Sequence, residues 1–250
     1  MSNQSQTNKV AWNYRAYEFW TKGCGGPQKY AAQLRENINN NINGRYVDFF
    51  KDVSGKRILN ALGSNGRKAV PLCLLGAEVT VIDISEENQK YALELAKHAN
   101  VELQYELGDF TKYENENFNG YFDIAFSEGG ILHYFNDLDA FFKKISRYLR
   151  VGGTLILNDF HPLRKILSSS TGTDGDYFDD ELHVFPVAYE DQFDEAERKD
   201  FPKCLLRFYR LGEIVTAVGQ NQMQITELRE LQRIGNEKIP GEFTLVATRI

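Results

Sequence analysis

Several things are missing from this chain, and each absence removes a class of function. No apolar run approaches the ~20 residues that a membrane span needs, and the opening MSNQSQTNKV is polar, without the apolar core of a signal peptide. The expected location is therefore the cytoplasm, with no membrane partner. Positive charge is the minority: 29 Lys and Arg against 35 Asp and Glu leave a formal net charge of -6. That is the opposite of the basic face a phosphate backbone requires, so nucleic acid is not an expected partner. Cysteine is scarce. Cys24, Cys73 and Cys204 are scattered, odd in number and without metal-ligand spacing, and Cys73, inside an apolar helical stretch, reads as core. There is no internal repeat and no low-complexity tract, since the Asn cluster NINNNING is only long enough for a turn.

What is present is a regular alternation. The 250 residues allow one large domain or one domain with an insertion. Residues 12–22, WNYRAYEFWTK, space Trp12, Ala16, Phe19 and Trp20 as one helical face. That segment is either a short helix packed on the body or a lid over a ligand. Pro27 sits at a first-turn position and opens a helix that the Asn-rich turn and Gly44 should end. From Arg57 the pattern predicts strand 57–62, helix 66–75 stopped by Gly76, strand 78–82, helix 86–98 capped by Ser85, and strand 102–107. Strand 121–126, helix 137–149, a VGG turn and strand 153–158 follow. Strands alternating with helices imply crossovers and a largely parallel sheet. After Pro162 the alternation fails, and residues 163–205 read as an insertion with some hairpin or helix of its own, because a structureless loop of that length is unusual. A helix near 211–219 and strands near 223–231 and at 243–249 close the chain. These last two strands are too near each other for a crossover helix and should pair antiparallel.

The corner between the first strand and its helix, ILNALGSNG, is the most informative stretch. Open α/β sheets bind ligands at the carboxyl ends of strands, where helix N-termini offer free N–H groups. Gly63 and Gly66 permit close approach and positive φ, and Ser64 and Asn65 add polar groups. Asp83, at the end of the next strand, is placed to accept from both hydroxyls of a ribose. The dinucleotide fingerprint G-x-G-x-x-G is absent, which leaves an NAD-dependent dehydrogenase supported by fold analogy alone.

Residues 45–160 and the final strand pair resemble the class I S-adenosylmethionine-dependent methyltransferases of the small-molecule type. Against that family's first motif, ILNALGSNG carries Asn60 for the acid, Leu62 for the first glycine and Ser64 for the second, and keeps Gly66. GAEVTVIDIS matches the second motif, YELGDF the third, FDIAFSEGGILHYF the fourth strand and its loop, and LRVGGTLIL the turn and strand that follow. The resemblance implies a Rossmann-like, doubly wound, mostly parallel seven-stranded sheet with an antiparallel C-terminal strand and an inserted cap. It divides the chain into an N-terminal helical and aromatic lid (1–44), a cofactor-binding core (45–162), the cap (163–205) and a C-terminal helix with strands completing the sheet (206–250). The implied cofactor is S-adenosylmethionine, leaving as S-adenosylhomocysteine. Its site would comprise Asn60, Gly63, Ser64, Asn65 and Gly66 at the corner, Asp83 on the ribose and Ile84 on an adenine face. Gly108 would also belong to it, Asp109 would accept from the adenine amino group and the Phe110 N–H would meet a ring nitrogen, with Ser127 and Glu128 along the methionine part. Each has a plainer alternative: Asp83 as a helix-capping acid, Asp109 as a turn residue, Asn60 as a strand-end polar group.

Methyl transfer from a sulfonium is an in-line displacement on an activated carbon, so alignment and exclusion of water matter more than a catalytic motif. A base is needed only when the nucleophile arrives protonated. Of the four histidines, His133 falls in the loop after the fourth strand, as a base or as a residue holding that loop. His161, after the fifth strand, would line the acceptor pocket or bond to backbone. Tyr17, Trp20 and Tyr134 are further candidates for the acceptor pocket, while His98 and His183 read as structural or exposed. His133, Asp159 and His161 lack a recognised metal spacing, so no metal is expected. The expected partner is a small organic acceptor. The altered first motif leaves open a methyltransferase-like binding module without turnover.

Overall fold

The structure is a computed structural model that describes residues 3–38, 46–50, 52–166 and 175–250. They fall into two compact units, one running to Glu114 with Val184–Cys204 added, the other Asn115–His183 with Leu205–Ile250. The seven strands of the main sheet are β1 (Arg57–Ala61), β2 (Glu78–Asp83), β3 (Gln104–Leu107), β4 (Phe122–Glu128), β5 (Leu149–Phe160), β8 (Met223–Arg233) and β9 (Asn236–Arg249). Their order is β3-β2-β1 in the first unit and β4-β5-β9-β8 in the second. Within the first unit β1 pairs parallel with β2 and β2 with β3. Within the second, β4 and β5 are parallel and β9 runs antiparallel to both β5 and β8. The sheet is the mostly parallel, Rossmann-like one expected, with its antiparallel strand next to the edge. A second, two-stranded sheet pairs β6 (Leu182–Pro186) with β7 (Lys203–Arg207).

In the first unit the helices are α1 (Asn3–Asn13), α2 (Ala16–Cys24), α3 (Pro27–Glu36), α4 (Ala69–Leu74), α5 (Glu86–Ala99) and α8 (Glu195–Arg198). The second unit holds α6 (Leu138–Tyr148), α7 (Pro162–Ile166) and α9 (Leu211–Gln220). The caps are those the sequence signals. Pro27 opens α3, Ser85 Oγ accepts the Asn88 amide at 3.2 Å to start α5, and Asp137 accepts the Ala140 amide at 3.1 Å to start α6. The expected stop of α3 at Gly44 lies outside the described residues.

Three boundaries differ from expectation, each for a tertiary reason. The polar opening is helical, and the single helix expected over 12–22 is two, broken at Arg15, whose φ is 56°. The Arg15 guanidinium leaves the helix axis to meet Glu18 at 2.7 Å and Glu197 at 2.8 Å, and it lies over the Phe193 ring at 4.3 Å. The Tyr14 carbonyl at the break accepts from the Tyr189 hydroxyl at 2.7 Å. The VGG segment is not a turn before a strand but an irregularity inside β5, where the register jumps from Phe122 opposite Leu149 to Ile124 opposite Thr154. The first crossover helix begins at Ala69 rather than Gly66, because the corner continues through Lys68.

The aromatic N-terminus is used as core. Trp20 is buried with Ala31, Leu34, Val70, Tyr91 and Leu95, and its Nε1 donates to Asn88 Oδ1 at 2.8 Å. Tyr189 stacks on Phe19 at 4.8 Å and meets Trp12 edge-on at 5.5 Å, so part of the inserted segment closes the same aromatic cluster. Trp20→Ala is expected to cost about 3–5 kcal/mol in urea unfolding, the range for emptying a large buried aromatic site. A loss below about 1 kcal/mol would mean that Trp20 is not core.

Candidate active site

The corner after β1 is built on three left-handed residues in alternation: Leu62 at φ 56°, Ser64 at φ 50° and Gly66 at φ 76°. The two positions where the resembled motif has glycine keep a glycine-like backbone although they carry Leu and Ser, at a cost of about 1–2 kcal/mol each. The surroundings hold them there. Leu62 N donates to Ile82 O at 2.8 Å, Ser64 N to Asp83 Oδ2 at 3.0 Å, and the buried Tyr105 hydroxyl donates to Ser64 O at 2.9 Å. Gly63 has no alternative, since a Cβ there would lie 2.5 Å from Asn60 Oδ1 and 2.9 Å from Val81 Cγ1. At Gly66 it would lie 2.9 Å from Ala92 Cβ on α5. Tyr105 is the residue sequence reasoning missed. Its signal was only an inward position on a short strand.

Asp83 is buried at the end of β2, and its two oxygens face two segments. Oδ2 takes the Ser64 amide and Oδ1 the Ser85 amide, each at 3.0 Å. Burial raises its carboxyl pKa, and the Ser85 and Ser64 amides oppose that rise. Ile84 beside it is half-buried. Ser85 Oγ in turn lies 2.9 Å from both Trp12 O and Asn13 Oδ1, so the end of α1 is fastened to the first turn of α5. At the end of β3, Gly108 N donates to Asp83 O at 2.8 Å, Phe110 is buried, and Asp109 Oδ1 accepts from Thr111 N and Oγ1 at 3.2 and 2.9 Å. Three buried polar atoms of this unit, Ser64 Oγ, Asn65 Nδ2 and Asp109 Oδ2, have no hydrogen-bond partner within the protein. Buried polar atoms of this kind call for an outside partner. One donor amide, one hydroxyl and one carboxylate oxygen suit the mixed donors and acceptors of an adenosyl amino acid.

Tyr17 and Trp20 are both turned to α5. The Tyr17 hydroxyl donates to Glu94 Oε2 at 2.6 Å, its ring meets Tyr91 edge-on at 5.5 Å, and the Lys90 ammonium stands 4.6 Å from its centroid. Contacts within the unit account for the rings of both residues.

In the second unit β4 ends in the fully buried Ser127 and the half-buried Glu128, followed by Gly129 and Gly130 at φ 87° and 81°. A single turn, Leu132–Tyr134, then presents His133 among Tyr134, Phe208 and Phe160, with centroids 4.4, 5.9 and 6.3 Å away. Burial pushes its imidazole down to about 4, so the ring is neutral at physiological pH. His161 Nδ1 accepts the Leu163 amide at 3.1 Å, and its Nε2 lies 2.8 Å from Glu230 Oε1. Among the described residues no group of three or more His, Cys, Asp or Glu could hold a metal ion, and no helix is long and apolar enough to cross a membrane.

Residues 61–157 match the family of methyltransferase domains. Phosphoethanolamine N-methyltransferase 3 of Arabidopsis thaliana is 28% identical over 116 residues, which are 46% of this chain and 23% of that protein. A ubiquinone biosynthesis O-methyltransferase of Xanthomonas oryzae pv. oryzae is 27% identical over 156 residues, 62% of this chain and 61% of that protein. The chain thus spans less than two thirds of the length of either relative. Among solved structures, geranyl diphosphate C-methyltransferase from Streptomyces coelicolor A3(2), in complex with Mg2+, geranyl diphosphate and S-adenosyl-L-homocysteine, aligns with a TM-score of 0.65. That alignment covers 100% of this chain and 98% of the other at 12% identity, a likeness of fold.

Asp83→Ala removes the acceptor of two backbone amides, so it is expected to lower stability by about 1–3 kcal/mol for each amide left bare. Asp83→Asn, which keeps one acceptor oxygen, should lose about half as much in urea unfolding. Equal stability of all three proteins would show that the carboxylate does not hold the corner.

Proposed function

We propose that this chain, a member of the class I S-adenosylmethionine-dependent methyltransferases, transfers the methyl group to a small organic acceptor by in-line displacement. The observation that carries the reading is the corner. It holds a left-handed backbone at Leu62 and Ser64, where the resembled motif has glycine, and leaves Ser64 Oγ, Asn65 Nδ2 and Asp109 Oδ2 buried without a partner within the protein. S-adenosylmethionine supplies a methyl carbon already activated by its sulfonium, so the protein's own work is binding, alignment and exclusion of water. Asp83 would accept from the ribose hydroxyls through the lone pairs its two amide contacts leave. Asp109 Oδ2 would accept from the adenine amino group, the Phe110 N–H would meet a ring nitrogen, and Ile84 would cover the adenine. Asn60 would meet the cofactor's ammonium group.

His133 is assigned to the acceptor. A ring neutral down to about 4 can accept a hydrogen bond from a hydroxyl or amine at any physiological pH, but it is a weak base. It therefore serves best by orienting the acceptor and receiving its proton late. The described part of the N-terminal segment packs as core, and Tyr189 of the 163–205 segment joins it there by bonding to the carbonyls of Ala11 and Tyr14. The net charge of -6 favours a small-molecule acceptor over nucleic acid.

Calorimetric titration with S-adenosylmethionine tests the first half, and absence of binding at millimolar cofactor would defeat it. A catechol and phosphoethanolamine, as oxygen and nitrogen probes followed by mass spectrometry, test the second. His133→Ala should lower kcat by about 10²-fold, the low end for a positioned proton acceptor, with cofactor affinity unchanged. The wild-type profile should show no limb belonging to His133 above about 5, because its imidazole titrates near 4. An unchanged kcat and KM would remove His133 from the acceptor site.

A further inference from the structure

We propose that Asp159 is a positioning residue for this reaction: its carboxylate clamps the loop after β4 and so fixes where the His133 ring stands. The inference rests on the assignment of His133 to the acceptor. Asp159 Oδ2 accepts the amides of Ile131 and Leu132 at 3.1 and 2.9 Å, the two residues immediately before His133, and Oδ1 takes the Phe160 amide at 2.6 Å. All three donors are backbone groups, so the clamp acts on the path of the chain and not on one rotamer. The other side of the loop has no slack. At Gly130 a Cβ would lie 2.4 Å from Phe160 Cε2 and 3.0 Å from His133 Cε1. Phe160, the neighbour of Asp159 in β5, is one of the rings around His133, and the Arg164 guanidinium covers it at 4.1 Å. A residue at the end of β5 thereby sets the loop from behind while the next residue bounds it in front.

The arrangement has a pH signature. Asp159 is faced by the like charge of Glu242 on β9 and by the amides of Ile131, Leu132 and Phe160. Burial and the like charge of Glu242 push the Asp159 carboxyl up to about 6, against the three amides that pull it down. The ionised carboxylate brings its charge to Oδ2, which takes both the Ile131 and Leu132 amides; protonation removes that charge and weakens both contacts. As pH falls through about 6, the clamp is expected to release, and the rate to fall with it, well above the pH near 4 where His133 itself takes a proton. An acid limb near 6, which would ordinarily be given to a histidine, belongs here to an aspartate.

The test is an NMR titration of the isotope-labelled, cofactor-free protein, together with Asp159→Asn. In the wild type the Ile131, Leu132 and Phe160 amides should move through one transition near 6, and the His133 ring resonance should register the same step before its own titration near 4. Asp159→Asn should abolish the step, speed hydrogen exchange at Ile131 and Leu132 by about 10-fold or more, and lower kcat by roughly 10²-fold, the scale of a 1 Å misplacement. S-adenosylmethionine affinity should stay unchanged. If the variant fails to fold, the wild-type titration decides alone. Loop amides without a step near 6, or a step that survives in Asp159→Asn, would overturn the clamp whatever the acceptor proves to be. A clamp seen by NMR in an enzyme indifferent to His133→Ala would instead overturn the positioning role, through failure of the His133 assignment.

Discussion

A single buried carboxylate, that of Asp83, carries the first unit's site. Its two oxygens reach in opposite directions along the chain, to the Ser64 amide of the corner after β1 and to the Ser85 amide that opens α5. Without an acceptor the Ser64 amide would be an orphan donor at a residue already in the left-handed region. Without the Ser85 amide the N-cap of α5, to which Trp12 and Asn13 are fastened, would lose its anchor to the sheet. The corner, the helix start and the N-terminal helices are therefore one hydrogen-bonded assembly with Asp83 at its centre. Burying a carboxylate is unfavourable unless it is hydrogen-bonded, and the fold satisfies that need with amides that themselves required acceptors.

The same assembly explains how a corner can lose two glycines of its motif and keep its shape. Leu62 and Ser64 adopt φ values that cost non-glycine residues energy. What holds them is external to them: the Ile82 carbonyl, the Asp83 carboxylate and the Tyr105 hydroxyl. At Gly63 the constraint is of another kind, since Asn60 and Val81 fill the space a Cβ would need. Glycine is replaceable where only the torsion is at stake and the environment compensates. It is not replaceable where volume is at stake.

Features whose cause lies within a few residues were legible in the sequence. The alternation of β1 to β5 with helices, the Ser85 cap and the antiparallel final pair all follow from local periodicity and spacing. What escaped reading was set at a distance. The break at Arg15 depends on Glu197 and Phe193, about 180 residues away in the chain. The VGG segment reads as a turn by glycine content, yet β4 pairs with β5 both before it, at Leu149, and after it, from Thr154. Tyr105 looked like any inward strand residue, and only the approach of the corner gives its hydroxyl a task. For the site the motifs named positions rather than contacts. Asp83 and Asp109 stand at strand ends as read, but that Asp83 also ties Ser64 to Ser85 could not be seen in a string of letters.

The two units use one device twice. Asp83, on β2, takes the Ser64 amide of the turn that follows its neighbour β1, and Asp159, on β5, takes two amides of the turn that follows its neighbour β4. In each case the gripped turn contains glycine at positive φ, with too little room for a side chain at Gly63 and at Gly130. Parallel strands make the device available, because neighbouring carboxyl ends lie on one edge of the sheet and a short acidic side chain at one end can reach the first amides beyond the other. A carboxylate accepts several N–H groups and donates none, so it orders a turn without competing for its carbonyls. Its grip depends on ionisation, and burial places that ionisation within reach of ordinary pH at Asp159, at about 6. The turn after β4 is thus ordered by a group that titrates, whereas a backbone-only turn would be ordered at every pH.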